Sequence, residues 1–223
     1  MVETKGKTLL VFGGSGLVGM DILRQALANP AVTKVVAPTR RPLPVSVSHY
    51  AHLENPQVDF SELPDDAPWW RADAALCALG TTLKQAGSKA AFRLVDREYV
   101  CAAARLSLRA GTRTFVLNSA VGASARSGSF YLRVKGEVEH DLGAMDFRSL
   151  TLVRPSILDG GPRPDDRPGE VMGLLISRTF KPLIPKRLRA VKTSDVAAAM
   201  LQAALTAPVG QQVIESNAIT RQR

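Results

Sequence analysis

Cysteine is scarce: Cys77 and Cys101 are the only two in 223 residues. Two cysteines make no disulfide framework, so a reducing compartment is the expectation. Both fall in apolar or helical stretches, where buried thiols are expected over reactive ones. Histidine is scarce too, at three in the chain. His49 and His52 form an H-x-x-H pair with no third ligand nearby, so surface histidines are expected and no metal. No apolar run reaches the roughly 18 residues that cross a bilayer, so no membrane span is expected. The apolar stretch in "MVETKGKTLLVFGG" is too short for a secretory signal, and a cytoplasmic protein is the expectation.

Aromatic residues make up 5% of the chain. The densest basic patch, "KRLRAVK" at residues 186–192, holds no ring on which a base could stack, so nucleic-acid binding is not expected. Acids are outnumbered, 20 against 29 Lys and Arg, which leaves a net charge of +9. That surplus attracts phosphates and anionic surfaces, yet a solvated basic surface accounts for it, as it does for residues 178–192.

What is present is an ordinary globular composition, 45% hydrophobic and 22% charged, at a length that suits one domain spanning residues 1–223. Apolar runs of four to eight residues alternate with helical periodicity, the pattern of βα units around a parallel sheet. Strands are predicted at 8–12, 34–39, 57–60, 74–80, 114–120 and 149–156. Helices are predicted at 17–29, 90–111, 130–144 and 193–207, with Thr193 or Ser194 capping the last. The fold class is therefore α/β: one doubly wound parallel sheet of six or seven strands in a three-layer α/β/α arrangement, with a small C-terminal elaboration on the substrate side.

Between the first strand and helix lies "GGSGLVG", with Gly13, Gly14, Gly16 and Gly19 close together. A P-loop would close on Lys-Ser or Lys-Thr; here Met20-Asp21 follow, which excludes it. A dinucleotide-binding turn fits, with Gly13 making the tight turn, Gly16 admitting the pyrophosphate and Gly19 letting helix pack on strand. The helix N-terminus then faces the phosphates with free N–H groups. An ordinary turn is the competing reading. After the second strand stand Arg40 and Arg41, where an NAD-preferring unit usually carries an acid. A guanidinium there suits a 2′-phosphate, so NADP(H) is favoured over NAD(H); two solvated loop arginines are the alternative.

Tyr131 and Lys135 lie one turn apart on a predicted helix, shortly after a strand ending in Asn118-Ser119. A free phenol titrates too high for proton exchange at neutral pH, and a nearby ammonium favours its ionised form. Tyr131 could then exchange a proton with a carbonyl or alcohol oxygen, with Ser119 hydrogen-bonding the same oxygen.

Taken in order, "GGSGLVG", "NSA" and "YLRVK" resemble the short-chain dehydrogenase/reductase superfamily. "VRPSIL" and "TSDVAAAML" are similar to its extended and atypical branches. "CALGTT", "RLVDREYV", "YLRVKGEVE" and "RPGE" resemble the atypical group that includes the mammalian Tat-interacting protein. The resemblance covers nearly the whole chain. It implies a Rossmann fold and NAD(P)-dependent hydride transfer on a small-molecule substrate. Gly13, Ser15, Gly16, Leu17 and Val18 match the phosphate turn, Arg40 the 2′-phosphate contact, and Asp59 and Phe60 the adenine contact. Leu79, Gly80 and Thr81 match the loop at the nicotinamide ribose. Ser119, Tyr131 and Lys135 match the catalytic triad, Lys135 also holding ribose hydroxyls, and Arg154, Pro155 and Ser156 flank the nicotinamide end. Many members carry an asparagine in the central helix that serves a proton relay; Asp96 stands near that place here.

The substrate pocket is expected mainly from residues 121–130 and 159–190. A second function class is an NADP(H)-sensing module that regulates a protein partner with little turnover. A homo-oligomer is left open. Trp69-Trp70 are expected to pack one ring and half-expose the other. Asp165-Asp166, between Arg163 and Arg167, are expected to be a solvated charged loop.

Overall fold

The first strand, KTLLVF, is apolar at successive positions because it is covered on both faces. Leu9 and Val11 point into one packed layer, Leu10 and Phe12 into the other. The computed structural model describes residues 6–159 and 189–219. In chain order these form β1 (Lys7–Phe12), α1 (Leu17–Leu27), β2 (Val32–Val36), α2 (Val45–Ser48), β3 (Leu53–Glu54), a 3-10 turn (Pro68–Trp70) and β4 (Ala74–Cys77). Then come α3 (Leu83–Ala86), α4 (Lys89–Arg93), a π turn (Leu94–Glu98), α5 (Tyr99–Arg109), β5 (Thr114–Asn118) and α6 (Phe130–Gly143). The rest is β6 (Ser149–Arg154), β7 (Leu158–Asp159), β8 (Val191–Lys192), α7 (Thr193–Thr206), β9 (Gly210–Glu215) and α8 (Ser216–Ile219).

Seven strands make one parallel sheet in the order β3-β2-β1-β4-β5-β6-β9, and β7 pairs with β8 apart from it. The order reverses between β1 and β4, which opens a crevice at the carboxyl ends of those strands. Helices α1 and α7 pack against one face around Ile22, Leu23 and Met200. Helices α5 and α6, with Trp69 and Trp70, cover the other around Phe115, Val138 and Leu142. This is a single-domain, doubly wound Rossmann-like fold.

Local chemistry explains where elements depart from expectation. The strand predicted at 57–60 is not one: β3 lies earlier, at Leu53–Glu54, and only Thr39 and Gln57 bridge beyond it. Pro56 has no N–H to give a ladder, and Asn55 replaces it, its Nδ2 donating to the Ala37 carbonyl at 2.6 Å and to Thr39 Oγ1 at 2.8 Å. Neither Thr193 nor Ser194 caps α7; Lys192 holds the N-cap without a side-chain bond, and the Thr193 hydroxyl donates to Asp21 Oδ2 at 2.6 Å. The helix predicted across 90–111 runs without a gap from Lys89 to Arg109, as α4, the π turn and α5. Both tryptophans are buried, contrary to the half-exposed expectation, and Trp70 Nε1 donates to the Pro64 carbonyl at 2.6 Å.

Candidate active site at the β1–β4 crevice

The glycine turn is shaped by what a side chain would hit. Gly13 has φ 78°, and a Cβ there would lie 2.6 Å from the Ala78 carbonyl carbon. The turn therefore lies directly against the end of β4. A Cβ on Gly19 would meet the Gly13 carbonyl oxygen at 2.0 Å, so only glycine lets α1 start this close to β1. Gly16 caps α1 with no side-chain hydrogen bond and no acid in the first turn. The first N–H groups of α1 are thus left to an anion, and they fit a pyrophosphate. Ser15, Gly16 and Leu17 line a cavity of about 210 Å³ together with Met20, Asp21, Arg24 and Thr193.

Beyond β2, Arg40 and Arg41 are both exposed. Asp59 lies within electrostatic reach of Arg40, and its carboxyl is held below the ordinary range first by hydrogen bonds from Ser61 and then by Arg40. Phe60 is buried, its ring 5.9 Å from that of Tyr99.

Past β4 the chain runs through Leu79, Gly80 and Thr81 to the second half of the site. A Cβ on Gly80 would stand 3.3 Å from Asp96 Oδ1 and 3.8 Å from Lys135 Nζ. Lys135 Nζ is 2.8 Å from Asp96 Oδ1, and the Thr81 N–H donates to Asp96 Oδ2 at 2.7 Å. Burial pulls the Lys135 amine down, but Asp96 and then Tyr131 outweigh it and hold its pKa above the ordinary lysine value. Tyr131 is 38% exposed, with its ring 5.8 Å from Phe92.

Tyr131, Lys135 and Glu139 recur at every fourth residue and share one face of α6. Ser119, at the end of β5, donates from Oγ to Glu139 Oε1 at 2.5 Å. Arg154 binds the same carboxylate through Nε and Nη2 and reaches Glu215 Oε1 through Nη1 at 3.1 Å. Pro155 accepts the Val121 N–H on its carbonyl, and the Ser156 hydroxyl donates to the Arg189 carbonyl. The structure thus brings the glycine turn, residues 79–81 and Lys135 together. The polar groups of Arg154 and Ser156 are engaged within the protein. Sequence reasoning passed over Glu139 and Glu215, although the 131/135/139 spacing was a signal for the first.

Residues 160–188 lie outside the described residues, and with them most of the expected 159–190 pocket wall, "RPGE", Asp165-Asp166 and most of the basic segment. Among the described residues no helix is long and apolar enough to cross a membrane, and no group of three metal-ligating side chains occurs.

No protein-family model matches the sequence. Protein HTATIP2 of Rattus norvegicus is 34% identical over 222 residues, 97% of this chain and 89% of the rat protein. The chain belongs to the HTATIP2/FMP52 family. Protein FMP52 of Eremothecium gossypii, named as mitochondrial, is 34% identical over 151 residues, 68% of this chain and 66% of the relative. Among solved structures, MoeE5 in complex with UDP-glucose and NAD aligns at TM-score 0.68 and 17% identity, over 96% of this chain and 80% of that one. A Bacillus halodurans protein named as an NAD-dependent epimerase/dehydratase aligns at TM-score 0.67 and 17% identity, over 98% of this chain and 100% of that one. This HTATIP2/FMP52 member therefore shares the Rossmann-like α/β fold of those two structures. The expectation of a cytoplasmic protein is corrected by the same relatives: further fungal FMP52 proteins are also named mitochondrial. Composition alone carried no information on the organelle.

Proposed function

We propose that this chain is an NADP(H)-dependent oxidoreductase that interconverts a carbonyl and an alcohol, with Tyr131 as general acid/base. The observation that carries the reading is the continuity of the crevice. Gly13 packs on Ala78, and two residues later Gly80 lies beside Lys135, one turn from Tyr131. Phosphate-binding turn and proton-transfer pair therefore meet at one strand end.

In this reading Gly13, Ser15, Gly16, Leu17 and Val18 hold the diphosphate, and Arg40 with Arg41 holds the 2′-phosphate. Asp59 and Phe60 border the adenine, and Leu79, Gly80, Thr81 and Lys135 hold the ribose next to the nicotinamide. Arg154, Pro155 and Ser156 wall the far end. Bound NADP(H) would supply or take up the hydride. Tyr131 moves the proton at the substrate oxygen, and Lys135 stabilises its phenolate. Ser119 serves that oxygen as a donor once its proton, which goes to Glu139 in the cofactor-free protein, is turned to the substrate. Residues 121–130 and 159–190 shape the substrate side.

The test is NADPH oxidation against a panel of aldehydes and ketones, followed by absorbance. Wild-type turnover is expected, with Tyr131→Phe at least about 100-fold slower and still binding NADPH. Full turnover by that variant overturns the mechanism.

A second reading, an NADP(H) sensor that regulates a partner with little turnover, is favoured by one observation. The two groups that would assist Tyr131 both have internal partners, Lys135 on Asp96 and Ser119 on Glu139. Tight NADPH binding without turnover on any carbonyl, and a protein partner released by NADPH, would select it.

A further inference from the structure

Asp96 sits in the π turn with its side chain 1% exposed, and Lys135 opposite it is 7% exposed. The π turn widens the helix locally and aims residue 96 inward while Leu94 stays exposed. Two donors from different elements converge on this carboxylate: the Thr81 N–H from the loop after β4, and the Lys135 ammonium from α6. Only a carboxylate offers an acceptor oxygen to each. An asparagine has one oxygen and one NH₂, so it would leave one donor facing another.

We infer that Asp96 is a positioning residue, which fixes the Lys135 ammonium against residues 80–81 and keeps it charged, so that the lysine works as half of a neutral buried pair. Its catalytic consequence rests on the oxidoreductase reading; its hold on Lys135 does not.

Physical chemistry requires such a partner. A buried amine without a counter-charge gives up its proton, since desolvation penalises the charged form. Burial is the largest influence on Lys135 and acts in that direction; Asp96 is the largest influence opposing it. The other groups facing the amine are Tyr131 on its own helix and Cys77 on β4. The remaining charges between the π turn and α6 are paired among themselves: Arg93 with Glu137, and Arg97 with Glu98, Glu137 and Asp141. None of them replaces Asp96. Gly80 completes the arrangement, because its bare Cα lets the loop lie over the pair.

The experiment is an NMR titration of the Lys135 side chain in the cofactor-free protein, wild type against Asp96→Asn. Wild type is expected to show no titration between about pH 7 and 10, and the variant to lose its proton within that range. A variant whose Lys135 stays charged throughout overturns the proposal. If Asp96→Asn does not fold, Asp96→Asn/Lys135→Met decides. Recovery of a cooperative melt supports the pair, and a double variant as unfolded as the single one overturns it. In parallel, NADPH affinity by fluorescence is expected to fall at least about tenfold over the same range in Asp96→Asn and to stay level in wild type. Level affinity in both proteins counts against Asp96 as the holder of the charge. Absence of NADPH binding by wild type would remove the oxidoreductase reading, and the cofactor-free titration would still decide the role of Asp96.

Discussion

Ser119 Oγ lies 2.5 Å from Glu139 Oε1, and Arg154 holds the same carboxylate from two nitrogens. One carboxylate thus joins the end of β5, the middle of α6 and the end of β6. Removing its parts should cost unequal amounts. Ser119→Ala deletes one hydrogen bond and should cost about 1 kcal/mol. Glu139→Gln leaves Glu215 as the counter-charge of Arg154 and sets an amide NH₂ where one acceptor oxygen stood, which should cost about 3 kcal/mol in this half-buried site. Urea denaturation of both variants checks this; equal losses would mean that Glu139 is not the hub.

Gly136→Ala should be strongly destabilising. A Cβ there would lie 2.1 Å from the Ser124 carbonyl carbon and 2.3 Å from the Ala125 nitrogen, so backbone has to move. The loss should be about 2 kcal/mol or more. The displaced loop also hangs on α6 through the Ser124 N–H to the Leu132 carbonyl, so thermal melting should fall along with substrate-side function. An unchanged melting temperature would refute the contact.

Both thiols should resist alkylation in the native state. Burial pushes Cys77 up to about 12 and Cys101 up to about 11. At pH 8 the native thiols should therefore react at least about 100-fold more slowly than those of the unfolded chain. The stability sign follows. A pKa raised by folding favours the native state fully below the unfolded thiol value and loses that contribution as pH rises through the folded one. Between about pH 9 and 12 the protein should thus become easier to unfold, and Cys77→Ala should flatten that slope in pH-dependent denaturation.

Arg40→Ala should weaken NADPH binding about tenfold and leave NADH binding unchanged, because the lost guanidinium serves only the 2′-phosphate that NADH lacks. Calorimetry with both coenzymes distinguishes this from a general loss of the site. Equal weakening of both would assign Arg40 to structure instead of 2′-phosphate recognition.

The sheet was largely legible because its strands are buried on both faces. Leu9–Phe12 is a continuous apolar run, "SLTLVR" sets Leu150, Leu152 and Val153 among small polar residues, and the glycines between β1 and α1 marked the phosphate end. β3 was misplaced because its pairing depends on the Asn55 side chain and on Pro56, which no hydrophobic pattern encodes. The Tyr131/Lys135 pair was visible as an i, i+4 spacing on one helix. Its partners were less so. Asp96 was noticed only as a departure from a familiar asparagine, since the π turn that swings it inward has no signature in periodicity. Glu139 looks like any surface glutamate until Arg154 and Ser119 arrive from β6 and β5, some 15 and 20 residues away in sequence.

That π turn has an evolutionary corollary. A widened helical turn is one residue too many for regular α geometry. Deleting a single residue from Leu94–Glu98 would restore the regular winding with both flanking segments still able to seat. The acid would rotate off the amine and leave the groove otherwise intact. In the oxidoreductase reading proposed above, a lineage could thereby disconnect the proton-transfer pair in one step and keep the nucleotide cleft, which would set catalyst and receptor one codon apart.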